Sequence, residues 1–225
     1  MIRLCPSILN ADHSQLKSEI DRVADSADML HLDIMDNIFV PNLTFSLSES
    51  RSIIADSSLP VDTHLMIANP DELAVEYAKA GSFSVTFHFE ASQQPARTLT
   101  AIRECGVRAA IAVKPTTPFS AIEGLISQLD MLLIMTVEPG FGGQAFMTPM
   151  MAKVRQARAA IDRVTGDRPW LQVDGGVSVE TIALAAAAGA DAFVAGSAVY
   201  KAESPKQMLN QLRALASAAQ VNSTP

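Results

Sequence analysis

The chain has 225 residues, 48% of them hydrophobic and 18% charged, with a formal net charge of −7. That length and apolar content suffice for one sizeable core and favour a single domain, while the acidic balance argues against nucleic acid, which needs a basic patch. No stretch has the uninterrupted apolar length of a membrane span, and Met1 to Ser7 leads at once into polar Asn10, Asp12 and His13. Neither a leader nor a membrane partner is expected. Cys5 and Cys105 show no paired spacing, so they read as reduced thiols, and the cytoplasm is the expected compartment.

Along the chain, apolar runs of strand length alternate with helical patterns, the signature of βαβ units around a parallel sheet. The strand candidates are Arg3 to Ser7, Met29 to Met35, Val61 to Met66, Ser84 to His88, Arg108 to Val113, Met131 to Val137, Trp170 to Asp174 and Ala192 to Ala195. Eight such runs at near-regular spacing predict an α/β fold, a (β/α)8 TIM barrel in one domain over residues 1–219. Between them, Asp12 to Ser26 reads as a helix behind the cap Asn10, with Leu16, Ile20 and Val23 at helical spacing. Asp71 to Ala80 and the alanine-rich Val179 to Ala188 read similarly. Residues 220–225 are expected to form a disordered tail.

In such a barrel, chemistry sits at the C-terminal ends of the strands. Strand one ends at Ser7, strand two carries His31 and Asp33, strand three ends near His64 and strand seven ends at Asp174. Residues two apart share a face, so His31 and Asp33 point inward while Leu32 and Ile34 pack outward. A lone buried histidine is more often a satisfied core group. Two imidazoles and two carboxylates on three strand ends are harder to explain structurally, because buried carboxylates are costly unless paired or metal-bound. His31, Asp33, His64 and Asp174 are therefore the candidate ligands of one divalent transition ion, zinc first, with iron or manganese as alternatives.

The turns after strands six, seven and eight contain Gly140-Phe141-Gly142-Gly143, Gly175-Gly176 and Gly196-Ser197. Any one of these could simply make a tight turn. Together they predict a phosphate site built from backbone amides, because glycine lets the main chain approach an anion closely.

Seven ordered segments carry a family resemblance: Pro6-Ser7-Ile8-Leu9, His31-Leu32-Asp33-Ile34-Met35-Asp36, Phe39-Val40-Pro41-Asn42, His64-Leu65-Met66, Met135 to Gln144, Val173-Asp174-Gly175-Gly176 and Ala195 to Val199. In these the chain resembles the ribulose-phosphate 3-epimerase family over essentially its whole length. The resemblance implies a metal-dependent C3 epimerisation of a ketose phosphate, with Asp33 and Asp174 as the two acid/base groups and His31, Asp33, His64 and Asp174 as ligands. It further implies that Ser7, His31, His64 and Asp174 contact the substrate and that Gly140, Phe141, Gly142, Gly143, Gly175, Gly176, Gly196 and Ser197 hold its phosphate end. Met35, Met66 and Met135 would flank the reacting carbons, and a homo-oligomer is expected. The chain departs from the family's usual pattern, a glycine and a histidine, at Asn37 and Ile38, and from a glycine and a proline at Ser46 and Leu47. These departures make allulose 6-phosphate the rival substrate.

Two other classes compete. A Schiff-base aldolase would use Lys114 at the end of strand five as its nucleophile. A sugar-phosphate binder without activity would have no use for the intact carboxylates and histidines. Related barrels with an Asp-x-Lys-x-x-Asp pattern on strand two are disfavoured, since His31 and Asp33 stand where they have Asp and Lys.

Overall fold

The computed structural model describes residues 1–221. Alternation along each strand separates two environments. In β2 (Leu30–Met35), Leu30, Leu32 and Ile34 join the large apolar cluster between strands and helices, and His31, Asp33 and Met35 turn to the barrel interior. The other strands are β1 (Arg3–Pro6), β3 (Val61–Met66), β4 (Ser84–His88), β5 (Arg108–Val113), β6 (Met131–Met135), β7 (Trp170–Asp174) and β8 (Ala192–Ala195).

Strand order is β1-β8-β7-β6-β5-β4-β3-β2, and every paired ladder is parallel. Among the described residues the last seam, between β1 and β2, is joined by one parallel bridge, Ser7 to His31. The barrel thus closes at two residues of the candidate site.

The outer layer holds α1 (Leu16–Asp21), α2 (Leu47–Asp56), α3 (Pro70–Lys79), α4 (Pro95–Glu104), α5 (Met151–Ile161), α6 (Ile182–Ala187), α7 (Ser197–Tyr200) and α8 (Pro205–Val221). After β5 the crossover is made of 3₁₀ turns, Phe119–Ala121 and Glu123–Gln128.

The helix expected over 12–26 is only partly α-helical. A 3₁₀ turn, His13–Gln15, precedes α1, and bonds from Val23 N–H to the Ile20 carbonyl and from Ser26 N–H to the Val23 carbonyl continue it as turns. Its cap is Asp12, whose carboxylate accepts from Ser14 N–H, and not Asn10. In the alanine-rich segment, α6 starts at Ile182 because the Thr181 hydroxyl accepts from Ser178 N–H and donates to the Gly176 carbonyl, making a turn first. At the other end, α8 runs through Gln220 and Val221, which corrects the start of the expected tail; residues 222–225 lie outside the described residues. Cys5 is buried and Cys105 half-buried, both free.

Candidate active site

The barrel interior is polar in its middle layer, and hydrogen bonds offset the cost of burying those groups. Asp62, on β3 beside His31, accepts from the Ser84 hydroxyl at 2.6 Å, from Gln172 Nε2 at 2.9 Å and from His31 Nδ1 at 2.9 Å. Burial pushes its carboxyl up, but these donors hold it below the usual carboxylate value.

From His31 in that layer to Asp33 and His64 two residues further toward the C-terminal mouth and Asp174 at the end of β7, the four side chains bring one ligand atom each to within 4.8 Å of one another. His64 Nδ1 lies 3.1 Å from Asp33 Oδ1 and 3.9 Å from Asp174 Oδ2, and His31 Nε2 lies 3.4 Å from Asp33 Oδ1. That Nε2 is buried and has no hydrogen-bond partner among the described residues. A buried imidazole nitrogen left without a partner, facing two carboxylates and a second imidazole, is what a divalent ion requires of its ligands, so this donor set fits one.

The two carboxyls differ sharply. Burial raises Asp33, but the His31 and His64 imidazoles outweigh it and hold it far below the usual range. Its Oδ2 also accepts from the Ser7 hydroxyl at 2.6 Å. Asp174 is pushed up to about 6 by burial and by the charge of Asp33. Burial disfavours a charged His31, yet Asp33 and Asp62 together raise it well above an ordinary imidazole.

An open cleft lies over this group, lined by Ser7, Asp33, Asp174, the three methionines Met35, Met66 and Met135, and the glycine-rich turns. Gly140, Phe141, Gly142, Gly143, Gly175, Gly176, Gly196 and Ser197 all reach it, and among the described residues no Lys or Arg stands in its lining. His31 and His64 are fully buried and outside that lining. Gly175 and Gly176 have φ of +117° and +67°, and a Cβ there would sit 2.4 Å from Val137 Cγ2 and 2.5 Å from the Phe146 nitrogen, so only glycine serves.

Four groups went unrecognised in the sequence. Asn10 lines the cavity and stands between two turns: a Cβ on Gly142 would meet its Nδ2 at 2.6 Å, and one on Gly196 its Oδ1 at 2.4 Å. Asp62, His88 and Glu90 support the histidines from behind. The visible signal is alternation, since Asp62 is two residues from His64, and His88 ends β4 as Asp174 ends β7.

The departures from the family pattern fall outside the cavity lining. Asn37 has φ +58°, the one positive-φ residue other than glycine among the described residues, and asparagine tolerates that conformation. Ser46 caps α2 in a reciprocal pairing with Glu49. Lys114 places its ammonium 3.9 Å from the centroid of the Phe39 ring and does not line the cavity, which disfavours the aldolase reading.

The family model "Ribulose-phosphate 3 epimerase family" matches residues 3–200. The chain is 49% identical over 216 residues to a ribulose-phosphate 3-epimerase of Mycobacterium leprae, covering 96% of this chain and 95% of the relative. It is 41% identical over 212 residues to the one of Escherichia coli K12, covering 93% and 94%. In fold it is similar to 3-hexulose-6-phosphate synthase from Salmonella typhimurium, with a TM-score of 0.68 at 16% identity over 99% of this chain and 100% of that one. With that identity over nearly its full length and the His-Asp cluster at the barrel mouth, the chain belongs to the ribulose-phosphate 3-epimerase family, and it is an epimerase.

Proposed function

We propose that the chain epimerises D-ribulose 5-phosphate to D-xylulose 5-phosphate at C3, with Asp33 and Asp174 exchanging protons with opposite faces of one carbon. Inverting a carbon beside a ketone requires a proton to leave one face and another to arrive on the other, through a planar enediolate. An ionised base and a protonated acid must therefore stand together. The observation that carries the reading is geometric: Asp33 and Asp174 face the same imidazole nitrogen, His64 Nδ1, at 3.1 and 3.9 Å within one buried cluster, and burial together with the charge of Asp33 favours the protonated form of Asp174 relative to an ordinary carboxyl. Asp33 takes the proton in one direction and Asp174 in the other.

Ser7 orients Asp33 through its 2.6 Å bond and reaches the substrate from the same wall. A divalent ion held by His31, Asp33, His64 and Asp174, zinc ahead of iron or manganese, would supply Lewis-acid stabilisation of the negative charge that develops on the substrate's oxygens. Met35, Met66 and Met135 exclude water around the reacting carbons. With no cationic side chain in the lining, the phosphate is held by backbone N–H groups of the turns at 140–143, 175–176 and 196–197. Unpaired Cys5 and Cys105 suit a reducing cytoplasm.

Allulose 6-phosphate loses ground as the substrate, because Asn37 and Ser46 serve the backbone and the helix start rather than the cavity wall. The test is turnover of both sugar phosphates by one sample whose metal content is measured. Faster epimerisation of ribulose 5-phosphate is expected. Preference for allulose 6-phosphate, or no turnover of either by metal-loaded protein, would overturn the proposal.

A further inference from the structure

We propose that His88 and Glu90 are positioning residues that hold His64 in the tautomer whose Nδ1 is free to face the four-residue ligand set, an inference that rests on the metal site of the proposed function. His88 ends β4, and Glu90 follows it in the 3₁₀ turn Phe89–Ala91. Neither residue lines the cavity.

The ring of His64 is engaged on both sides. Its Nδ1 lies 3.1 Å from Asp33 Oδ1, and its Nε2 lies 3.0 Å from Nε2 of His88. Two ring nitrogens at that distance share one proton, so one donates and the other accepts. For Nδ1 of His64 to offer its lone pair to a cation, the ring's proton must be on Nε2, and His88 must accept it.

The groups behind His88 favour that polarity. With Nε2 accepting, His88 carries its proton on Nδ1, which lies 3.3 Å from Glu90 Oε2. Glu90 is kept an acceptor, because its Oε1 takes Lys114 N–H at 2.8 Å and the Thr117 hydroxyl. The opposite polarity would leave a lone pair of His88 against a carboxylate and put a proton of His64 where the cation belongs. Packing fixes the rings, with the Phe39 centroid 4.8 Å from that of His88 and His88 5.0 Å from His64. The two candidate ligands are therefore set in opposite tautomers. Asp62 keeps the proton of His31 on Nδ1, whereas His88 and Glu90 keep that of His64 on Nε2.

Zinc affinity by chelator competition and ¹⁵N spectra of the zinc-loaded histidines test this. The spectra should show His64 protonated on Nε2 and His88 neutral and protonated on Nδ1. His88→Leu should weaken zinc binding by about 10- to 100-fold, the usual cost of losing such a partner. His88→Gln, which keeps an acceptor toward His64, should recover much of that loss, and Glu90→Gln should weaken binding less than His88→Leu. Thermal unfolding of each metal-free variant shows that it folds, and the wild-type spectra need no variant. A proton of His88 on Nε2, or wild-type affinity in both His88→Leu and Glu90→Gln, overturns the inference. His64→Ala separates the two levels: if it keeps full zinc affinity the site itself is misplaced, and if it loses zinc while the other variants do not, only the roles of His88 and Glu90 fall.

Discussion

His31 holds its Nδ1 2.9 Å from Asp62 Oδ2, and this contact leaves Nε2 as the nitrogen that faces Asp33. Asp62 is fully buried and receives two further donors, from Ser84 and Gln172. In Asp62→Asn one of those donors would meet an amide NH₂ instead of an oxygen. The variant should lose about 1–3 kcal/mol of stability and bind zinc about 10- to 100-fold more weakly. Urea unfolding and chelator competition on one preparation check both. Unchanged zinc affinity would mean that Asp62 serves the barrel interior alone.

A second expectation concerns pH in chelator-treated protein. The carboxyl of Asp174 is raised from 3.8 to about 6, so the folded state binds its proton more tightly than the unfolded chain does. The stability this contributes is fully present below pH 3.8 and is lost as pH rises through about 6, amounting to at most about 3 kcal/mol. Asp174→Asn removes the loss. The metal-free variant should be more stable than wild type at pH 7.5 and show no such gain at pH 4. Equal unfolding midpoints at pH 7.5 would contradict the strained pair of carboxyls.

The strands and the carboxylate-imidazole set are legible in the sequence because both depend on local alternation. Leu30, Leu32 and Ile34 against His31, Asp33 and Met35 is a period-two pattern that fixes the inward face without any knowledge of neighbours. The roles of Asn10, Asp62, His88 and Glu90 depend on what stands opposite them across the barrel, as when Asp62 meets Gln172, 110 residues away. No spacing rule reports such a meeting. By residue type Asn10 fits a helix cap, yet Asp12 two residues on makes the bond and Asn10 lines the cavity instead.

Gly176 and Gly196 should respond differently to one added methyl. At Gly176 the new Cβ meets backbone, the Phe146 nitrogen at 2.5 Å, in a conformation with φ +67°. Gly176→Ala should cost about 1–3 kcal/mol and damage the turn. At Gly196 the obstacle is the end of a side chain, Asn10 Oδ1 at 2.4 Å. Gly196→Ala should keep wild-type stability while raising KM for the sugar phosphate as Asn10 is displaced. Thermal unfolding and steady-state kinetics on both variants decide the matter, and an unchanged KM in Gly196→Ala would remove Asn10 from substrate binding.

Loop positions that depart from the family pattern should affect the fold and spare the chemistry. Asn37→Val forces a β-branched residue to φ +58° and should cost about 1–3 kcal/mol. Ser46→Ala removes the cap of α2 and should cost about 1 kcal/mol. Both should retain wild-type kcat at temperatures where they are folded. A change in the preference between ribulose 5-phosphate and allulose 6-phosphate in either variant would return that loop to the substrate pocket.

The two-carboxylate mechanism is tested most directly by solvent deuterium at C3. With Asp33 and Asp174 on opposite faces, the proton removed is not the one returned, so product formed in heavy water carries solvent deuterium at C3. Asp174→Asn keeps a side-chain oxygen toward the ligand set but cannot relay a proton. It should still exchange the C3 proton on the Asp33 face of one epimer while failing to invert the carbon. Exchange without epimerisation in this variant is the predicted result. Epimerisation by Asp174→Asn at near wild-type rate, or wild-type product formed in heavy water without deuterium at C3, would contradict it.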